Sequence, residues 1–306
     1  MEPLLATAIR AAEAAAAVHL AFFGSVRVGT AREKARSDFV TEVDLEAQEA
    51  AVSVIQEAYP AHHILAEEEG EGTGLEAMGA GGEAGAEVST APATATGRGW
   101  PDDGECLWII DPLDGTTNFL HGHPMFGASI AVGRSLDEGF SAGGNSGLAF
   151  RGRLEAGAVV APRTGERWWA GREQGAWKNG KRISVSDTRD LRRALVGTGF
   201  PFKEADLVPR YAEQLKRVLP GTGGVRRCGS AALDLCYLAE GILDLFWEED
   251  YLSPWDTAAG LIILSEAGGM ASRMDGSAIG LESGSILAGN TPEMAAGLAA
   301  LLAGEG

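Results

Sequence analysis

Basic residues are in short supply. The chain carries 25 lysines and arginines against 43 aspartates and glutamates, a formal net charge of −18 over 306 residues. Nucleic acid and anionic membranes both require a basic footprint, so neither is expected as a partner. An anionic substrate is repelled as well, and a phosphate ligand here calls for bound cations rather than an arginine pocket. Cysteine is nearly absent. Cys106, Cys228 and Cys236 are an odd number at no metal-ligand spacing, which predicts free thiols that pack in the core of a protein from a reducing, cytoplasmic compartment. Long apolar runs are lacking too: Met1 to Gly24 is apolar but broken by Glu2, Arg10, Glu13 and His19. It falls short of the ~20 uncharged residues of a membrane span. The basic head and cleavage pattern of a signal peptide are missing, and so is any internal repeat.

What is present is a 45% hydrophobic composition, ample for a sizeable core, and one dense stretch from Trp108 to Phe119. Trp108-Ile109-Ile110 has the continuous apolar character of a strand buried on both faces, and Pro112 is expected to stop its ladder at Asp111. Asp111 and Asp114 then lie three apart across a proline turn, so their carboxylates can converge on one Mg²⁺. Gly115 permits close backbone approach, and the N–H groups of Gly115, Thr116 and Thr117 open a helix whose start attracts an anion. Taken by themselves the two acids read equally well as turn and cap residues.

Asp111 to Phe119 matches, residue for residue, the D-P-x-D-G-T-T-N-F signature of the inositol monophosphatase family, and the resemblance extends from Lys34 to Asn290. Asp38 to Asp44 is similar to the family's D-x-V-T-x-x-D segment, which implies that Asp44 pairs with Thr116 to activate water. Thr41 and Asp44 also have capping-box spacing, so a helix start is the other reading. The acids after strand His63–Ala66 sit where the family has two glutamates, which gives Glu67 the role of metal ligand and Glu68 that of second acid. Glu69 departs from the family, where serine is common. Val225 to Asp234 repeats the strand-glycine-helix logic and resembles the segment in which Ala231 lines the substrate. Ser230 alone could be a cap. Trp255 to Gly260 matches W-D-x-A-A-G, which makes Asp256 a ligand of the second metal; without the resemblance it is an acid at a helix start.

The resemblance implies a five-layer αβαβα sandwich, an α/β (α+β) fold of the inositol monophosphatase and fructose bisphosphatase type, as a single domain spanning residues 1–306. An antiparallel sheet is expected from the N-terminal half and a mixed sheet from the C-terminal half. Glu67, Asp111 and the Leu113 carbonyl would hold one Mg²⁺ and Asp111, Asp114 and Asp256 another, with Glu68 supporting a third. Gly115, Thr116, Thr117, Ala231 and Glu248 would meet the substrate. One extra residue before Pro254 relative to the family's spacing leaves Glu248 or Glu249 open as the hydroxyl contact, with Glu248 preferred. The implied reaction is Mg²⁺-dependent, lithium-sensitive hydrolysis of myo-inositol 1-phosphate by a cytoplasmic homodimer, closest to the bacterial-type inositol-1-monophosphatase. Histidinol phosphate, fructose bisphosphate and adenosine bisphosphate are alternative substrates. A regulatory or binding homologue is the alternative of another class.

Outside the signature blocks, Gly70 to Glu105 is rich in Gly, Ala, Thr and Glu and reads as an inserted surface loop unable to fold alone. His121 and His123 read as surface histidines. Ser129–Gly133 and Arg153–Val160 read as strands joined by a second glycine-rich insertion around Gly139 to Gly152. Asn179-Gly180 signals a type I′ hairpin. Ile242 to Trp247 alternates and reads as a strand.

Overall fold

The first element, α1 (Pro3–Phe22), starts at a proline whose missing N–H costs nothing there. Leu5, Ala8, Ala12, Ala15, Ala16 and His19 are buried at spacings of three and four, one stripe of a 3.6-residue period. That stripe packs on α2 (Glu42–Ala58) and on a sheet described below. Among the described residues α1 is the helix long and apolar enough to cross a membrane by length and composition, and here its apolar stripe covers a sheet. The computed structural model describes residues 2–26, 32–35, 38–40, 42–68, 104–141, 149–202, 204–281 and 284–304. Thr41, Glu69 and all but the last two residues of the expected 70–105 insertion lie outside them. Between the two helices, β1 (Arg32–Ala35) and β2 (Asp38–Val40) form a small antiparallel pair.

Seven strands follow in chain order across one sheet: β3 (His63–Ala66), β4 (Cys106–Asp114), β5 (Gly127–Ser141), β6 (Ala149–Ala161), β7 (Glu166–Gly171), β8 (Gly175–Lys178) and β9 (Lys181–Arg182). The sheet is not wholly antiparallel, because β3 runs parallel to β4. The segment of residues 67–105 joins the two strands in sequence, long enough for the connection of a dozen or more residues that a parallel pair needs. Its last two residues belong to the sheet edge rather than to an insertion: Gly104 N–H donates to Ser135 O at 3.1 Å and Ser135 N–H to Glu105 O at 2.9 Å. At its two described ends, residues 139–141 and 149–152, the expected glycine-rich insertion is strand. Phe140 pairs with Phe150 and Ser141 with Ala149, so backbone pairing resumes after a register shift between Ser135 and Phe140; residues 142–148 lie outside the described ones. At the β8–β9 hairpin Asn179 and Gly180 have φ of 47° and 80°, the two positive values that a type I′ turn requires.

The second sheet has the order β11-β10-β12-β14-β13, from β10 (Leu195–Thr198), β11 (Gly224–Arg226), β12 (Leu245–Glu248), β13 (Met270–Ser272) and β14 (Ile286–Gly289). It is mixed: β10 is parallel to β11 and β12, while β12 and β13 are antiparallel to β14. The strand expected from Ile242 begins only at Leu245. The N–H groups of Ile242 and Leu243 turn back to the Tyr237 carbonyl and cannot join a ladder, and Leu245 to Glu248 are all buried instead of alternating.

Period-2 geometry sorts the layers. Leu107 and Ile109 of β4 face a core shared with α5 (Ala231–Ala239) and α6 (Pro254–Glu266), while Trp108 and Ile110 face α1 and α2. Phe246 of β12 faces the same central core, and Leu245 and Trp247 face α4 (Val208–Gly221) and α7 (Pro292–Ala303). The result is the five-layer αβαβα sandwich, each sheet burying both faces under helices.

Candidate active site

Asp111 pairs with Ser129 and Asp114 with Gly127, so three residues of β4 span two of β5. Pro112 therefore does not end the strand. It sits in a β-bulge, which absorbs its missing donor, and the ladder resumes at Asp114. Leu113 N–H donates to Asp111 Oδ1 at 3.0 Å and closes the bulge. The two acids re-aimed in this way meet Asp256 of α6, and one oxygen from each of the three carboxylates lies within 4.8 Å of the others. Burial, and after it the charges of Glu67, Asp114 and Asp256, hold the Asp111 carboxyl well above the usual carboxylate range. Glu67 extends β3 by one rung, its N–H on Ile110 O at 3.1 Å.

Each acid is fixed by a neighbour. Asp114 Oδ2 accepts from Ser230 Oγ at 2.6 Å and from Ala232 N–H at 2.8 Å, so the start of α5 grips it. Ser230 Oγ also accepts from Leu233 N–H at 3.3 Å, so the capping reading of Ser230 holds and is incomplete. Asp256 Oδ2 accepts from Ser253 N–H at 2.6 Å in a capping box, so its helix-start reading holds while the same side chain reaches the other two acids. After the bulge, Gly115 has φ of 89°, and a Cβ there would lie 2.9 Å from Met125 O; only glycine fits without displacement. It leads into α3 (Thr116–His121), a helix of 6 residues. So short a helix has little macrodipole, and its attraction for an anion rests on the individual N–H groups. Thr116 Oγ1 is 3.1 Å from Asp44 Oδ1 and 3.1 Å from Leu113 O, so its single proton chooses between them. Asn118 Nδ2 lies 2.6 Å from Met125 O and 2.9 Å from Cys228 O, a tie between the two glycine turns of the site.

These residues line a cleft of about 150 Å³. That is below the ~300 Å³ of pockets for drug-sized ligands and suits a small polar ester. Glu67, Asp111, Leu113, Asp114, Gly115, Thr116, Thr117, Ala231, Glu248 and Asp256 are all on its wall. Asp44 stands behind Thr116. Glu68 is outside the lining, because successive residues at a strand end face opposite ways; it is buried with its backbone clasped by Gln48, Nε2 to Glu68 O at 2.5 Å and Glu68 N–H to Oε1 at 2.9 Å. Between Glu248 and Glu249 the geometry separates the two. Glu248 faces the cleft, pushed up to about 8 chiefly by burial. Glu249 turns to α4, where it accepts from Gln214 Nε2 at 2.8 Å and pairs with Arg210.

Phe200, Phe202, Arg227 and Tyr251 also line the cleft and were not assigned a role from sequence. Arg227, the one cation among the described lining residues, lies over the Phe202 ring at 5.1 Å. An arginine between the strand and the glycine of a strand-glycine-helix turn, in so acidic a chain, was the available signal. His121 and His123 are exposed, as expected, and all three cysteines are free.

An all-oxygen donor set, buried at Asp111 and Asp114 and half-buried at Asp256, and of one charge sign, fits a hard divalent cation, since a bound cation offsets the burial and the mutual repulsion that drive Asp111 upward. Fold and cleft together define a class: sandwich proteins with an acidic, cation-ready site facing a short helix. The sequence profile of the inositol monophosphatase family matches residues 1–139 and 146–305. Among curated relatives, Nus factor SuhB of Pseudomonas aeruginosa is 39% identical over 295 residues, covering 95% of this chain and 93% of its own. Nus factor SuhB of Escherichia coli K12 is 36% identical over 95% of this chain and 92% of its own. Among solved structures, the extragenic suppressor protein suhB of Bartonella henselae superposes with a TM-score of 0.77 at 28% identity, covering 98% of each chain. The inositol monophosphatase of Anabaena superposes at 0.70 with 30% identity, over 98% of this chain and 95% of its own. The chain belongs to the inositol monophosphatase family.

Proposed function

We propose that the protein is a Mg²⁺-dependent phosphomonoesterase that hydrolyses myo-inositol 1-phosphate to myo-inositol and phosphate. The observation that carries this reading is the convergence of Asp111, Asp114 and Asp256 within 4.8 Å beside the Thr116–Asp44 contact. Glu67, Asp111 and the Leu113 carbonyl would hold one Mg²⁺, and Asp111, Asp114 and Asp256 a second; a third ion at Glu68 has less support, since Glu68 is off the cleft wall. Mg²⁺ so held supplies the positive charge that neutralises phosphate oxygens and the acidity that readies a water for attack. The N–H groups of Gly115, Thr116 and Thr117 hold the phosphate in place. Thr116, donating its proton to Asp44, offers a lone pair that orients the attacking water in line. Neither a serine nor a cysteine nucleophile is required. Glu248 meets a hydroxyl of the leaving alcohol, and the backbone at Ala231 lines its ring.

The family signature also serves histidinol phosphate, fructose bisphosphate and adenosine bisphosphate, so a panel of all four esters with Mg²⁺ tests the assignment. Inositol 1-phosphate should give the highest kcat/KM; a tenfold or greater preference for another ester would reassign the substrate, an order-of-magnitude threshold for differential binding. The same reading includes one domain over 1–306, inhibition by lithium, a cytoplasmic location and a homodimer. Nucleic acid stays outside it because of the net charge of −18. A second reading, a regulatory or binding protein, is favoured by the name Nus factor carried by the relatives. Absence of turnover on every ester would bring it forward.

A further inference from the structure

The apolar stripe of α1 ends in a histidine. His19 follows Ala15 and Ala16 on the buried face, is fully buried, and has its ring 5.8 Å from Phe126 and 6.3 Å from Phe119. A polar ring in such a place costs free energy unless it is bonded. Its Nε2 is 2.7 Å from the carbonyl oxygen of Pro112, while Nδ1 is buried without a hydrogen-bond partner. A carbonyl only accepts, so Nε2 carries the proton and donates it. Pro112 lies in the bulge between Asp111 and Asp114, where the ladder register slips by one residue. The carbonyl of Pro112 thus takes a bond from a helix far away in sequence.

We infer that His19 is a positioning residue of the cation site: by holding the Pro112 carbonyl it fixes the bulge that aims Asp111, the Leu113 carbonyl and Asp114 at one point. It touches neither substrate nor cation. A histidine retained only for packing would be replaceable by an apolar residue of its size. A histidine that orients ligands would not, because removing a group that holds a metal ligand in place costs about 10- to 100-fold in metal affinity. The inference rests on the cation-site reading.

The test is direct titration of the whole, chelator-stripped protein with Mg²⁺ by calorimetry, comparing wild type with His19→Leu and His19→Gln, the glutamine amide reaching about as far as Nε2. His19→Leu should bind Mg²⁺ at least about tenfold more weakly and His19→Gln within about threefold of wild type, with similar unfolding temperatures for the two variants in EDTA. Leucine binding as tightly as wild type overturns the inference, as does glutamine failing as badly as leucine. Wild type that binds no Mg²⁺ overturns the cation site itself, a distinct result. A measurement on wild type alone serves if leucine prevents folding: coupling is reciprocal, so Mg²⁺ must strengthen the bond that favours it. The His19 Nε2–H proton should then shift and exchange more slowly on Mg²⁺ saturation, and an unchanged signal contradicts the proposal.

Discussion

The backbone N–H of Ser253 donates to Asp256 Oδ2 at 2.6 Å, so the carboxylate that meets Asp111 and Asp114 also closes the first turn of α6. Asparagine at 256 can accept the same bond and keep the cap, at a cost of about 1 kcal/mol or less. It also removes one of three like charges, so unfolding in EDTA should occur at the same or a higher temperature. Turnover at saturating Mg²⁺ should fall at least roughly a thousandfold, about 4 kcal/mol of transition-state stabilisation. A destabilised Asp256→Asn protein with normal turnover would refute the ligand role.

Thr116 supplies a second test. Thr116→Val keeps the shape and deletes the hydroxyl that reaches Asp44 Oδ1. With water no longer oriented, kcat should drop by at least roughly a hundredfold while KM changes little. An unchanged kcat would leave the contact with Asp44 a purely structural one.

Glu248 predicts a pH dependence of stability. Its folded pKa, about 8, lies above its ordinary 4.5, so between those values the folded state binds the extra proton. Its contribution to stability is complete below the ordinary value and is lost as pH rises toward about 8, at up to ~1.4 kcal/mol per pH unit. Denaturant unfolding in EDTA from pH 5 to pH 8 should show a shallower decline for Glu248→Gln than for wild type. Parallel curves would show that Glu248 is already ionised at neutral pH.

Residues 70–103 allow a further experiment. Their composition offers too little apolar surface for a core, and long surface connections contribute little to stability. Replacing them by a short linker, with Gly104 and Glu105 kept because they pair with Ser135, should leave unfolding and turnover nearly unchanged. A large fall in kcat with folding intact would instead make the segment a working lid.

What the sequence made legible was local. Asp111 to Phe119 declares itself because strand, acids, glycine and helix start are contiguous, and Asn179-Gly180 because a hairpin turn depends on two residues. What it hid depends on partners far along the chain. The bulge at Pro112 exists only against β5, and Asn118 finds its second carbonyl at Cys228, 110 residues away. Glu248 lines the cleft while Gln214 and Arg210 of α4 hold Glu249 on the other side of the strand. His19 looked like an interruption of an apolar helix, and only the fold brings it to the bulge.

In the proposed reaction these acids act through bound cations, and metal stripping is the decisive experiment. Protein freed of metal with EDTA should show no hydrolysis of inositol 1-phosphate and regain it on addition of Mg²⁺, with lithium then inhibiting at roughly tens of millimolar, the scale expected of a weak competitor at a hard-oxygen site. Full activity in EDTA would show that hydrolysis needs no bound cation.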